Sequence, residues 1–234
     1  MTSGHKTDYE NSIAGTGLWW LRALLRLVMT LVMFCVIAIA LAIIHGKYAL
    51  APGTGIEHMQ GLIGYALDRT THQEFARTLA AGLYWLCFKW NGIHDAAIEY
   101  ARGRPAWTLM SDLIRRTLII PFNESLMIAM LSVKLFGIRM AGLLQALPLF
   151  GLACVLAAID GLSERHIRRC GLGRESAAIY HRAKYYAFRL LPPLAGFVYL
   201  VLPYPMEPAI VFTPVALVTG VLLRTQMKYY KKYM

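Results

Sequence analysis

Charge is scarce in this chain. Only 16% of its 234 residues are Asp, Glu, Lys or Arg, while 57% are hydrophobic; a soluble domain carries about 25% charged residues. Together with a mean hydropathy of +0.48, that scarcity excludes an ordinary soluble enzyme and a solvated disordered chain. A helical integral membrane protein remains, because only helices and closed barrels satisfy their backbone within lipid. Cysteine is thin as well. Cys35, Cys87, Cys154 and Cys170 show no CxxC or other metal-ligand spacing, so neither a disulfide framework nor a structural zinc is implied. An internal inverted repeat is missing, which weakens a transporter reading. A cleavable signal peptide is not expected either, since the first apolar run starts late and is too long for an h-region.

What the chain does have is positive charge, +11 net with a pI near 9.7. Such a balance passes the usual threshold for a nucleic-acid binder. In a chain this apolar it reads instead as topology, because Lys and Arg collect on cytoplasmic flanks during insertion. Direct DNA contact is therefore not expected.

Residues 1–17 are polar and read as a flexible cytoplasmic lead. Trp19, Trp20, Arg22 and Arg26 then precede an uncharged run from Leu27 to Ile44. Paired Trp and snorkelling Arg suit the interface at the start of a membrane helix, so residues 18–45 form the expected first span. From His45 to Met140 ten Lys/Arg nearly balance seven Asp/Glu. Helical periodicity predicts three amphipathic helices here, at about 57–69, 71–88 and 91–101, and a longer one starting near Trp107. Residues 117–136 are apolar but carry Pro121, Asn123, Glu124 and Lys134. If they crossed, both strongly basic parts of the chain would land outside, against the positive-inside rule. They are accordingly placed at the interface or in a re-entrant helix, and 46–140 is read as periplasmic. Residues 141–159 carry no formal charge and form the second span. Residues 186–225 form a hairpin of two spans, 186–205 and 207–225, around YPMEP, and the basic tail 226–234 returns to the cytoplasm. The fold class is thus all-α integral membrane, with about four transmembrane helices and a helical periplasmic region between the first and second.

Between the second and third spans lies the most idiosyncratic stretch, DGLSERHIRRCGLGRESAAIYHRAKYYAFR, Asp160 to Arg189, with seven Lys/Arg against three acids. Asp160-Gly161 is expected to leave the membrane, Ser163 to cap a short helix ending at Cys170, and Gly171-Leu172-Gly173 to stop it before a second helix begins near Arg174. The result is a cytoplasmic elbow, 160–185. Arg165, Arg168, Arg169, Arg174, Glu175, His181, Arg182 and Lys184 are its candidate contact residues for a partner or for anionic lipid. A bland reading stands beside this one: the arginines satisfy topology and pair with Asp160, Glu164 and Glu175. Three chemical readings are weaker. His166 and Cys170 share a helix face, with Glu175 or His181 as further ligands, but lack a second cysteine at ligand spacing. Gly171 to Arg174 opens like a phosphate-binding turn without a preceding strand or a Walker lysine. Ser163 and His166 are merely near one another in sequence and have no orienting acid. No catalytic, metal or cofactor residue is therefore assigned, and no enzyme activity is expected.

The pattern D-G-L-x-E-R-x-I-R-R-x-G-x-G-R-E-S-x-x-x-Y-H-x-A-K, here Asp160 to Lys184, resembles the signature of membrane proteins encoded by bacterial integrating conjugative elements and related conjugative plasmids, a family defined by an uncharacterised domain. The resemblance extends from about Leu18 onward. It implies an inner-membrane component of conjugative DNA transfer; the charge distribution separately makes it multi-pass with both termini cytoplasmic. Its implied partners are other membrane proteins of a type IV secretion-like machinery, with the coupling ATPase as a further candidate; anionic lipids enter as partners through the charge of the elbow, and a homo-oligomer is compatible with both. The resemblance carries over no catalytic residues and no cofactor. The competing reading is a small transporter or channel, motivated by Glu124 and Lys134 within an apolar stretch.

Overall fold

The computed structural model describes residues 19–51, 53–103, 108–170 and 177–229. All its regular elements are helices. The first, α1, runs from Trp19 to Ile44 and continues as a π-helical turn, His45–Ala49. Three short helices follow, α2 Gly55–Asp68, α3 Gln73–Tyr84 with a π-helical turn Trp85–Lys89, and α4 Ile93–Ala101. These fall where periodicity and the breaks at 51–55, 70–72 and 91–92 place them. Helix α5, Leu109–Ile114, starts in a capping box in which Thr108 Oγ1 accepts from the Ser111 amide and Ser111 Oγ from the Thr108 amide. A π-helical turn, Arg115–Ile119, joins it to α6, Ile120–Cys170, which is 51 residues long and kinked at Phe122. Helix α7, Ala177–Lys184, passes through Tyr185–Leu190 into α8, Leu191–Val201. The last helix, α9, is Pro208–Lys228.

Helix α6 departs most from the sequence reading. It runs without a break through residues 137–141, where an interfacial segment was expected to give way to the second span, and through Asp160-Gly161, where the chain was expected to leave the membrane. At about 1.5 Å per residue it is roughly 77 Å long, more than twice the hydrocarbon thickness of a bilayer. The apparent stop signals have other uses. Ser163 caps nothing, and its hydroxyl instead donates to the Ile159 carbonyl at 2.9 Å within the helix. Gly137, Gly142 and Gly161 are crossing points. A Cβ on Gly137 would lie 2.6 Å from Ala80 Cα, one on Gly142 2.7 Å from Tyr199 Oη, and one on Gly161 2.6 Å from the Arg224 carbonyl oxygen. Small residues let backbones approach in this way at membrane helix interfaces.

Those contacts also set the directions of the helices. Gly142 meets Pro208, Gly161 meets Arg224 and Asp160 pairs with Arg224, so α6 and α9 run parallel. Gly46 meets Ile128, whereas Leu31 and Phe34 join the cluster that holds Leu143 and Phe150, so α1 is antiparallel to α6. Helices α7 and α8 return between α6 and α9. The start of α1 and the ends of α6 and α9 therefore lie toward one end of the molecule, and α2 to α5 wrap the other. Tyr199, Phe212, Phe136, Leu200 and Val201 form the central core, with Tyr199 and Phe212 in edge contact at 5.0 Å.

Among the described residues three helical stretches are long and apolar enough to cross a membrane, Trp20–Ala49, Leu109–Arg168 and Pro208–Lys228. The expected span 186–205 is not among them. It is interrupted at Leu190 (φ −109°, ψ −61°), just before Pro192 and Pro193, and α8 ends at Val201. Beyond it the chain is held by Arg139, which is 2% exposed. Its Nη1 donates to the carbonyls of Tyr199 (3.1 Å) and Leu202, and its Nη2 to that of Tyr204. The Tyr199 carbonyl faces Pro203, which has no amide proton, and Tyr204 lies beyond the end of α8, whereas Leu202 also accepts from the Tyr204 amide at 2.9 Å; a cation at a helix C-terminus also opposes the negative end of the helix dipole. The expected leads at 1–17 and 230–234 lie outside the described residues.

Candidate functional site at the basic end of the bundle

At the shared end, the last turns of α6 and α9 meet, and α7 packs against α9. Two acids four residues apart on α6, Asp160 and Glu164, lie on one face of the helix, and two cations four apart on α9, Arg224 and Lys228, lie on the face opposite. Because the helices run parallel, the pairs register in order. Arg224 Nε bonds Asp160, Arg224 Nη2 reaches Glu164 at 3.3 Å, and Lys228 Nζ bonds the other Glu164 oxygen. The Gly161 contact brings the backbones close enough for these side chains to meet. This pairing adds α9 to the bland reading of the motif: Asp160 and Glu164 are engaged by Arg224 and Lys228, while Arg168 of the motif also stabilises the Glu164 carboxylate. The sequence carries that signal as the matched i, i+4 spacing of the two pairs, 64 residues apart.

Of the candidate contact residues, Arg165 and Arg168 are half-buried in the last turns of α6, and Arg169 lies in the same turns. The Arg168 guanidinium sits 4.3 Å over the Tyr229 ring, an arrangement favourable for a cation against an aromatic face. Arg174 and Glu175 lie outside the described residues, as does the Gly171 to Arg174 turn. On α7, Ala183 is buried and the helix packs against α9. His181, Arg182 and Lys184 are exposed. His181, Lys184, Tyr185, Phe188 and Arg189 line an open groove of about 360 Å³. No group of three metal-ligating side chains converges among the described residues. Glu124, which a buried transport site would require inside the protein, is exposed near the start of α6.

The arrangement is a helical bundle of membrane-spanning proportions with a cationic end, in which Asp160 and Glu164 of the motif are paired internally. A model of conjugative DNA transfer proteins, the DtrJ-like family named for the IncC plasmid protein DtrJ, matches residues 65–231. The chain belongs to this family, and its role is accordingly in conjugative DNA transfer. The match covers α3 to α9 and the whole basic end but leaves out α1. No curated protein and no solved structure matches the chain.

Proposed function

We propose that the protein is a non-enzymatic inner-membrane scaffold of a type IV secretion-like conjugation machinery, carried by an integrating conjugative element or conjugative plasmid. In this reading α1, α6, the 186–205 segment and α9 make four crossings with both termini cytoplasmic, and 46–140 is periplasmic. The cationic end then faces the cytoplasm, where Arg22 and Arg26 at the start of α1 lie on the side that the positive-inside rule favours. There it docks an acidic surface of a cytoplasmic partner, of which the coupling ATPase is the leading case.

One observation carries the reading. Asp160 and Glu164 are taken by Arg224 and Lys228, while α7 presents His181, Arg182 and Lys184 outward. Charge that serves topology alone does not require α9 to neutralise the neighbouring acids. The test is cross-linking and pull-down from donor-cell membranes with His181→Ala, Arg182→Ala and Lys184→Ala combined. Partner recovery and transfer frequency are expected to fall about tenfold or more, a loss of about 1.4 kcal/mol, with membrane insertion unchanged. Unchanged recovery together with unchanged transfer would refute the docking role.

A further inference from the structure

Away from the basic end, α2, α3, α4 and α6 leave an open cavity of about 490 Å³, and Tyr84 separates it from a second of about 210 Å³. Lys134 and His94 line both. Met127, Leu131, Lys134 and Ile138 recur on α6 at helical spacing, so one face of the rod forms this wall. The combined size is that of a small-molecule site. Three cations border the larger cavity, Arg77, Lys89 and Lys134, and neither cavity is lined by a carboxylate. Arg77 meets only the largely exposed Glu74, at 3.3 Å, where water screens the pair. Lys134 is half-buried, with its amine 4.5 Å over the Tyr84 ring, and no carboxylate among the described residues lies within ion-pair distance of it. Tyr84 Oη is hydrogen-bonded to His94 Nδ1 at 2.7 Å. Burial first, and the Asp95 carboxylate second, push the Tyr84 phenol above its ordinary value, so it stays neutral and adds no negative charge.

The remaining walls, Ile63, Leu67, Ala80 and Ile138, are apolar. A lining of apolar walls and cations, with no carboxylate in it, selects an amphipathic anion. Depth narrows the class further, given 141–159 as a crossing. Lys134 lies seven residues from Ala141, about 10 Å along the axis, a few ångströms beyond a headgroup layer of about 5–7 Å. Trp85 on the cavity wall and Trp90 beside it are 51% and 73% exposed, as tryptophans at a membrane interface are.

We propose that this cavity binds an anionic phospholipid, its phosphate held by Lys134 and Lys89 and the first methylenes of its chains lying against Ile63, Leu67 and Ile138. The test uses the full chain purified in a non-ionic detergent, with phosphatidylglycerol, phosphatidylcholine or inorganic phosphate added, read by native mass spectrometry and thermal melting. One phosphatidylglycerol is expected to be retained about fivefold more than phosphatidylcholine. Lys134→Gln should lower that retention about fivefold, and Lys89→Gln, an exposed rim position, should lower it in the same direction should Lys134→Gln fail to fold. Arg182→Ala with Lys184→Ala at the opposite end should leave this lipid bound, which separates the cavity from the proposed docking surface. Equal retention of the two lipids would overturn the proposal, as would loss of the lipid in the Arg182/Lys184 variant but in neither lysine variant. If millimolar inorganic phosphate raises the melting temperature as much as phosphatidylglycerol does, the ligand is a soluble phosphate and the lipid assignment falls.

Discussion

The two halves of α6 are one helix in two environments. Toward its start, Ile128 and Val133 are 0% and 1% exposed, enclosed by α1 and the short helices α2 and α3. From Leu144 onward the outer face is bare, and Leu152, Val155, Leu156 and Ile159 are 56–59% exposed. Composition does not separate them, as both halves are rich in Leu, Ile, Ala and Val. What differs is the solvent each half is built for. The first half carries Lys134 and Arg139 and gives them protein partners, an aromatic face and a set of carbonyls. The second carries no formal charge between Met140 and Ile159, as a helix facing lipid requires.

Glycine substitutions test this contrast most severely. Gly137→Val forces a side chain into Ala80, whose Cα is 2.6 Å from the Cβ position, and should cost about 3 kcal/mol through overpacking. Gly151→Val, in the bare half with nothing within 4 Å, should change stability by less than about 0.5 kcal/mol. Thermal melting of both variants in detergent checks the pair, and equal losses would erase the distinction between the halves. A slightly smaller effect is expected from Arg139→Met, which strands the carbonyls of Tyr199 and Tyr204. About 2 kcal/mol should be lost, and hydrogen exchange at residues 202–206 should accelerate while that of 150–158 does not. The smallest effect belongs to the basic end. Arg224→Gln breaks pairs whose side chains are about half exposed, so the cost should stay below about 1 kcal/mol and shrink as salt is raised. A large, salt-independent loss would mean that this end is held more tightly than an exposed ion-pair cluster allows.

Much of the wrapped half was legible in the sequence. Helices α2, α3 and α4 fall close to the predicted 57–69, 71–88 and 91–101, because amphipathic periodicity and turn residues are local signals. The continuity of α6 was not legible. Gly137, Gly161 and Asp160 look like local stops, yet each is spent on a partner distant in the chain, Ala80 or Arg224. The pairing of Asp160 and Glu164 with α9 escaped for the same reason, since it depends on two helices running parallel. Arg139 did leave a trace, a lone cation between Ile138 and Met140 next to an uncharged run, which marks a buried charge in search of acceptors. The basic motif itself was conspicuous from composition and punctuation. The cavity around Lys134 was not, because its walls come from four helices.

Pro148 lies inside α6, in the bare half and a little beyond the last of the enclosing helices. Lacking an amide proton, it leaves the Leu144 carbonyl without its usual helical donor. The rod therefore has a built-in pivot near the middle of the apolar slab. A bend of 20° at Pro148, the scale of a proline kink, would swing Cys170, some 33 Å further along the axis, sideways by roughly 11 Å, and would carry with it the end of α9 bound at Gly161, Asp160 and Glu164. The distance between the arginines of the basic end and whatever they meet is thus adjustable from a single residue that touches neither.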